Sequence, residues 1–249
     1  MNGTEQGDGT ADFAAGLHGT KYQEDDPQSK RTGLYARVFA WMMARSDGTD
    51  RRVYGAYKQR LFAELKPGET VLEIGAGAGP NAAYFPEGIR WMAVEPNTHF
   101  APYLRAQAAE HGLTLTILPG RAEHLPVPDA SVDAALSTLV LCSVEDQAGA
   151  FAEILRVLKP GGRFTFIEHV AAPEGTSLRR LQQLVRIPWG WVADGCHPAR
   201  ETAKSIEAAG FAEVRLEHVT LPLGLVRPHI LGTARKAGGV DPPLPATDL

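Results

Sequence analysis

The sequence has few cysteines, no long hydrophobic run and no excess of positive charge. Only Cys142 and Cys196 occur among its 249 residues, so we expect neither a disulfide framework nor a cluster of metal ligands. The formal net charge of −4 disfavours a nucleic-acid-binding protein, because such proteins neutralise phosphates with basic side chains. No segment reaches the roughly 18 apolar residues of a membrane span, and the polar N-terminus is unlike a signal peptide. These absences predict a cytoplasmic protein without a metal, a membrane anchor or a nucleic-acid partner.

The length and composition predict one large α/β domain with a flexible segment at each end. Residues 1–32 are rich in polar and acidic side chains and are expected to be flexible, and residues 237–249 are expected to form a loose tail. The single domain is then predicted to span residues 33–236. Within it, residues 33–65 are expected to form two helices that either pack into the core or act as a lid. Residues 171–210 are expected to be a helical insertion.

Strand-like and helix-like segments alternate along the middle of the chain. Strands are predicted at Thr70–Ile74, Arg90–Val94, Leu113–Leu118, Val132–Thr138, Arg163–His169, Glu213–Thr220 and Arg227–Arg235. Helices are predicted at Tyr35–Ala44, Arg51–Leu65, Pro80–Phe85, Thr98–His111, Glu145–Leu158, Ser177–Trp191 and Arg200–Ala209. This alternation is typical of a parallel sheet that is covered by helices on both faces.

The most informative stretch is Val71–Asn81, in which a buried strand ends at a series of glycines. Gly75, Gly77 and Gly79 permit backbone angles that other residues resist, and they let a ligand lie against the main chain. Glu73 interrupts the apolar run, and a buried carboxylate requires a polar or cationic partner. Because ligands of parallel sheets bind at the carboxyl ends of the strands, this turn is predicted to hold a ligand.

Two further acidic residues follow the ends of predicted strands. Glu95 comes about 20 residues after the glycine turn, where a carboxylate can accept both hydroxyls of a ribose. Glu123 lies after the third strand, where an adenine edge is expected. These positions predict an adenosyl cofactor, either NAD or S-adenosylmethionine. Glu73 would repel a pyrophosphate and would attract an ammonium and a sulfonium, so the sequence favours S-adenosylmethionine.

Several motifs in order resemble those of the class I S-adenosylmethionine-dependent methyltransferases, over nearly all of residues 65–236. They are Leu72–Gly79, Val94–Asn97, Ala122–Asp133 and Leu158–Phe164. The resemblance implies a Rossmann-like, seven-stranded sheet whose last strand is antiparallel. It also implies a set of cofactor-binding residues: Glu73, Gly75, Ala76, Gly77, Asn81, Glu95, Pro96, Ala122, Glu123, Thr138 and Leu139. By this resemblance Glu73 lies near the amino group, Glu95 holds the ribose and Ala122–Glu123 meet the adenine.

A more specific likeness is carried by four rarer strings, which are similar to those of the thiol S-methyltransferases. The strings are Ser137–Val144, Ile167–Ala171, Asp194–Cys196 and Arg227–Ile230. The likeness implies a small-molecule thiol as substrate, and some microbial relatives methylate the thiols of sulfur-containing natural products. The polar start of this chain differs from the hydrophobic anchor of the membrane-bound members. Methylation of an oxygen, nitrogen or carbon acceptor is the alternative, and a non-catalytic cofactor-binding protein is a more distant one.

Methyl transfer from a sulfonium is an in-line displacement, so catalysis requires alignment and a deprotonated acceptor. His169 ends the fifth strand and is a candidate base, although a lone histidine is more often structural. Asp194 and His197 are candidates that either orient each other or cap the next helix. Cys142 and Cys196 are interpreted as structural, because the displacement needs no covalent enzyme intermediate.

Overall fold

The computed structural model describes residues 33–238. The flexible segment predicted for residues 1–32 and most of the predicted loose tail lie outside the described residues. Within residues 33–238, one sheet contains seven strands: β1 (Thr70–Ile74), β2 (Arg90–Val94), β3 (Thr114–Leu118), β4 (Val132–Thr138), β5 (Leu158–His169), β6 (Glu213–Thr220) and β7 (Pro228–Arg235).

The strand order across the sheet is β3–β2–β1–β4–β5–β7–β6. β1 to β5 pair in parallel, whereas β7 is antiparallel to both of its neighbours. The prediction of a seven-stranded sheet with an antiparallel last strand is therefore confirmed. The chain passes from β3, at one edge, to β4 on the other side of β1. This change of direction creates a crevice at the carboxyl ends of β1 and β4, where α/β proteins bind their ligands.

Helices cover both faces of the sheet, as predicted. The described α-helices are α1 (Leu34–Met43), α2 (Asp47–Phe62), α3 (Ala101–Glu110), α4 (Gln147–Val157), α5 (Ser177–Leu184), α6 (Arg186–Val192) and α7 (Thr202–Glu207). Along β1, the side chains of Leu72 and Ile74 join one core cluster, whereas that of Val71 joins another. This alternation follows from the pleat of the strand and divides the core between the two faces.

Besides shifts of one to four residues at the ends of several helices and strands, three local predictions differ from the structure. The segment after the glycine turn forms only a short 3-10 helix, Ala82–Tyr84, instead of an α-helix over Pro80–Phe85. β5 begins at Leu158 instead of Arg163, because Leu158 already pairs with Val132 of β4. The insertion contains two helices, α5 and α6, which meet at Val185.

The two N-terminal helices differ in how much of their apolar surface is buried. α2 contributes the buried side chains of Tyr54, Lys58 and Phe62, so it is part of the packed fold. α1 buries Ala36 and Ala40, and Phe39 is half-buried against Phe100, but most of its other large apolar side chains are exposed. The Asn97 side chain donates a hydrogen bond to the Ala36 carbonyl, which holds α1 over the loop after β2. A lid function of α1 stays a prediction. In the described part of the chain, no helix is both long and apolar enough to cross a bilayer.

Candidate active site

The glycine turn adopts the backbone geometry that its sequence predicts. Gly75, Gly77 and Gly79 have φ angles of +63°, +54° and +82°, which side chains rarely tolerate. The Gly75 N–H donates to the Val94 carbonyl at 2.8 Å, so the turn is joined to the end of β2. A Cβ at Gly77 would meet no atom closer than 4.0 Å, so open space lies beside this residue. A ligand can therefore approach the main chain at Gly77.

Glu73 has the polar partner that its burial requires. The Asn81 side-chain amide donates to Glu73 Oε1 at 2.7 Å and to Thr138 Oγ1 at 3.1 Å. Glu73 Oε2 and Asn81 Oδ1 are buried without a hydrogen-bond partner among the described residues. Burial raises the pKa of Glu73 to about 7, against the opposing effect of the Asn81 hydrogen bond. Two orphaned acceptor oxygens are the arrangement that would receive the ammonium group of S-adenosylmethionine.

Glu95 connects the glycine turn to the loop after β2. Its Oε2 accepts the N–H of Gly77 and its Oε1 accepts the N–H of Asn97, both at 2.9 Å. Burial raises the pKa of Glu95 to about 7, and the Asp194 carboxylate adds to this rise. The intervening Pro96 is exposed. A fixed carboxylate at this position has the geometry for two ribose hydroxyls, and the residues present therefore fit the predicted cofactor.

The loop after β3 places Ala122 and Glu123 differently. Ala122 is buried, but the Glu123 carboxylate accepts the N–H of Glu145 at 3.0 Å and pairs with Arg121 at 3.5 Å. The Glu123 side chain thus connects this loop to the segment before α4. Contact between Glu123 and an adenine stays a prediction.

The end of β4 is strained and packs against the glycine turn. Leu139 has a φ of +61°, which is unusual for a side chain of this size, and its N–H donates to the Ile167 carbonyl at 2.9 Å. The next residue, Val140, lies so close to Gly75 that an added Cβ there would be 2.6 Å from its Cγ2 atom. The two turns therefore hold each other in position, and Thr138 and Leu139 lie beside the glycine turn, as their predicted cofactor role requires.

Replacing Gly75 with alanine is expected to lower the free energy of unfolding by roughly 2–5 kcal/mol, from left-handed backbone strain and the clash with Val140. Gly112→Ala is the matched control, because Gly112 has a φ of +64° but no atom within 4 Å of an added Cβ. Backbone strain alone should cost the control about 1–2 kcal/mol. Urea unfolding of the cofactor-free protein measures both values, and equal losses would show that the contact with Val140 is unimportant.

At the carboxyl ends of β4 and β5, the structure brings His169 together with both cysteines. His169 Nε2 lies 3.1 Å from Cys196 Sγ, and the Trp189 indole N–H donates to the same sulfur at 3.3 Å. Potential ligand atoms of Cys142, His169 and Cys196 all lie within 4.8 Å of one another, and all three residues are buried. The spacing of the two cysteines along the sequence predicted no cluster of metal ligands. Tertiary structure nevertheless brings three ligand-type side chains together from distant parts of the sequence, and whether they bind a metal stays a prediction.

The cluster is held by backbone contacts between two separate segments. The His197 N–H donates to the Cys142 carbonyl at 3.0 Å, and Arg200 donates to the Val144 carbonyl at 2.6 Å. The buried carboxylate of Glu168, the chain neighbour of His169, accepts hydrogen bonds from the N–H groups of residues 140 and 141. A hydrogen bond between the cysteine thiols lowers the pKa of Cys196 and raises that of Cys142. Cys196 is therefore the more acidic thiol of the pair.

The two other predicted catalytic residues, Asp194 and His197, lie in the loop between α6 and α7. The Nδ1 atom of His197 accepts the N–H of Ala199 at 3.2 Å, so this ring is engaged with its own loop. Burial lowers the pKa of His197. Asp194 has a φ of +51° and acts electrostatically on Glu95. The capping interpretation is wrong, because α7 begins at Thr202 with Glu201 as its N-cap.

Two residues near His169, Tyr54 and His229, are not predicted from the sequence as part of the site. The Tyr54 hydroxyl lies 3.0 Å from His229 Nε2, and the His229 ring meets that of His169 edge-on with centroids 6.2 Å apart. Burial lowers the pKa of His229 to about 4, so this imidazole is neutral at physiological pH. The string Arg227–Ile230, which contains His229, is one of the motifs that resemble those of the thiol S-methyltransferases. No local pattern in the sequence predicted the contact between His229 and Tyr54.

Comparison with known proteins gives concordant results. Residues 72–166 match the family described as a methyltransferase domain. The thiol S-methyltransferase TMT1A of Homo sapiens is 40% identical over 191 residues, covering 72% of this chain and 78% of that protein. The thiol S-methyltransferase TMT1B of Rattus norvegicus is 36% identical over 209 residues, which cover 80% of this chain and 86% of that protein. The solved structure of a possible histamine N-methyltransferase from Thermotoga maritima has a similar fold, with a TM-score of 0.59 and 22% sequence identity. The match covers 80% of this chain and 97% of that chain.

The strand order, the glycine turn after β1 and the acidic residue after β2 define the class of S-adenosylmethionine-dependent methyltransferases. With 36–40% identity over most of the length of these relatives, the chain belongs to the methyltransferase family that includes the thiol S-methyltransferases TMT1A and TMT1B. The family, the fold, the enzyme class and the cofactor predicted from the sequence are thereby confirmed.

Proposed function

We propose that this enzyme transfers the methyl group of S-adenosylmethionine to the thiol of a small molecule. The observation that carries the proposal is 40% identity to a thiol S-methyltransferase over 78% of that protein's length. A sulfur-containing natural product is one class of substrate that fits. The cytoplasmic location inferred from composition stays a prediction.

In this proposal, the carboxyl ends of β1, β2 and β4 hold the cofactor. Glu73 and Asn81 receive the ammonium group through their orphaned oxygens, while Gly75, Ala76 and Gly77 border the methionine portion. Glu95 accepts the ribose hydroxyls. S-adenosylmethionine supplies an electrophilic methyl group on a positively charged sulfur. The role of the protein is then to align the acceptor sulfur with that methyl group and to exclude water.

The acceptor is proposed to meet the cofactor at the cluster of Cys142, His169 and Cys196. This cluster follows directly on Leu139, and the Cys142 sulfur lies 3.8 Å from the Leu139 carbonyl. A cavity of about 810 Å³ is lined by Val170 and His229, the chain neighbour and ring partner of His169, but not by the three residues of the cluster themselves. A thiol has a pKa near 8.5, so only a few per cent is ionised at neutral pH. The acceptor site must therefore favour the thiolate, which is the role predicted for His169.

A panel of paired acceptors tests the proposal. A small alkyl thiol and the alcohol and amine of the same carbon skeleton are incubated separately with the enzyme and methyl-labelled cofactor. We expect labelled thioether from the thiol, with S-adenosylhomocysteine formed in equal amount. Methylation of the alcohol or the amine alone would support the alternative acceptors. Calorimetric binding of the cofactor without turnover of any acceptor would favour a non-catalytic protein.

A further inference from the structure

The donor set of the cluster is that of a catalytic zinc site. Cys142 and Cys196 offer two thiolates and His169 offers an imidazole nitrogen, and no carboxylate lies in this group. Soft thiolate and imidazole ligands select zinc over magnesium or calcium, which prefer oxygen. Structural zinc sites have four protein ligands, whereas catalytic sites have three and leave one position open. Three donors therefore match the catalytic type.

The distances between the donors fit a tetrahedral ion. Zinc–ligand bonds of about 2.0–2.3 Å require donor atoms that lie about 3.3–3.8 Å apart. His169 Nε2 and Cys196 Sγ are 3.1 Å apart, and no pair among the three donors exceeds 4.8 Å. The Nε2–Sγ distance is slightly shorter than this range, so a bound ion would move these two atoms apart. Backbone contacts on both sides of the cluster already hold the two segments together, as in a preformed site.

The histidine also has an unused nitrogen. While Nε2 of His169 faces Cys196, its Nδ1 atom is buried and has no hydrogen-bond partner among residues 33–238. A zinc ion on Nε2 would leave Nδ1 without the outer hydrogen bond that metal-bound histidines usually make, so the orientation of the ring depends on its packing. The Trp189 N–H donates to the Cys196 sulfur, which is the kind of outer contact that orients a metal ligand.

We propose that Cys142, His169 and Cys196 bind one Zn²⁺ ion, whose open fourth position receives the acceptor thiolate. The inference rests on the proposed function, because the fourth ligand is its substrate. The acceptor thiol replaces a water molecule on the ion, and its proton passes to solvent, so in this inference His169 favours the thiolate as a metal ligand and not as the base. The thiolate sulfur then forms a bond to the methyl carbon, and the electron pair of the breaking carbon–sulfur bond remains on S-adenosylhomocysteine. The thioether product has no charge, binds the ion weakly and leaves.

The zinc content of the full-length protein is the first test. The protein is kept under a phosphine reductant, incubated with Zn²⁺ and passed through a desalting column. Elemental mass spectrometry is expected to find about one zinc ion per chain. Cys196→Ser should reduce retained zinc by about tenfold. His111→Gln, between α3 and the start of β3, is the control and should retain it. No retained zinc in the wild type, or equal zinc in Cys196→Ser, would overturn the proposal.

Cobalt spectroscopy provides a test that does not depend on a substituted cysteine remaining folded. Co²⁺ added to the metal-free wild-type protein is expected to give thiolate-to-metal charge-transfer absorption. A small alkyl thiol should change this spectrum when it becomes the fourth ligand, whereas the matching alcohol should not. A spectrum without thiolate absorption, or one that the thiol leaves unchanged, would contradict the assignment.

Failure of the zinc site and failure of the proposed function give different results. Removal of the metal by a chelator is expected to lower the rate of thiol methylation at least about tenfold, and added Zn²⁺ should restore it. S-adenosylhomocysteine binding, measured by calorimetry, should persist in the metal-free protein. If the metal-free protein methylates the thiol at an unchanged rate, the zinc inference fails and the proposed function stands. If the zinc-loaded protein methylates an alcohol and no thiol, the proposed function fails.

Discussion

Replacing Glu95 with alanine is expected to weaken the binding of S-adenosylmethionine by about 100-fold, or about 3 kcal/mol. The carboxylate is fixed by the N–H groups of Gly77 and Asn97, so it offers its remaining lone pairs to the two ribose hydroxyls. Hydrogen bonds to a charged group contribute about 1.5 kcal/mol or more each, and two are lost. Isothermal calorimetry with S-adenosylmethionine measures the change directly.

The same variant should leave the chemical step nearly intact. At saturating cofactor, kcat is expected to stay close to that of the wild type, because the proposed contact of Glu95 is with the ribose and not with the reacting atoms. Glu87→Ala is the matched control, since Glu87 is exposed and precedes β2. It therefore lies at the amino ends of the strands, away from the carboxyl ends where the cofactor is proposed to bind. Unchanged cofactor affinity in Glu95→Ala would show that the ribose assignment is wrong.

Affinity for S-adenosylmethionine is expected to fall as the pH drops below about 7. Burial raises the pKa values of Glu73 and Glu95 to about 7 in the cofactor-free protein. The ammonium group and the ribose hydroxyls both require ionised carboxylates, so below that pH a proton must leave before the cofactor binds. For each such carboxyl, the affinity then falls by up to about tenfold per pH unit, and above about pH 8 it becomes constant.

Calorimetry in buffers of different ionisation enthalpy, between about pH 5.5 and 8.5, measures both the affinity and the protons released across the range in which these carboxyls titrate. Glu73→Gln is the informative variant, because it keeps the shape of the side chain and removes one titrating group. We expect a shallower pH dependence and fewer protons released than in the wild type. A flat affinity profile in the wild type would contradict the role given to both carboxylates.

Much of the fold follows from local features of the sequence. β1, β2, β4 and β6 begin and end at the predicted residues, since short β-branched and apolar runs are bounded there by turn-forming residues. The start of β5 was not predictable in this way. Its first residues, Leu158 and the Lys-Pro-Gly-Gly segment, look like a turn, and only pairing with Val132 extends the strand to them.

The proposed cofactor site at the carboxyl ends of β1 and β2 could also be predicted from the sequence. Glycines and acidic residues at the ends of parallel strands are typical of a nucleotide or adenosyl site. The sequence predicted that Glu73 needs a polar partner, and the structure identifies it as Asn81. The cluster at which we propose that the acceptor binds could not be predicted from the sequence. Cys142 and Cys196 looked like isolated small hydrophobic residues, and their contact with His169 arises only when the insertion folds over the ends of β4 and β5.

A single-turnover labelling experiment decides whether the methyl acceptor is sulfur. The enzyme is mixed with one equivalent of S-adenosylmethionine carrying a deuterated methyl group and with a compound that contains both a thiol and a hydroxyl. Mass spectrometry then locates the label after the reaction. We expect the label on sulfur, with one S-adenosylhomocysteine formed per thioether. Label on oxygen, or S-adenosylhomocysteine without any thioether, would contradict thiol methylation.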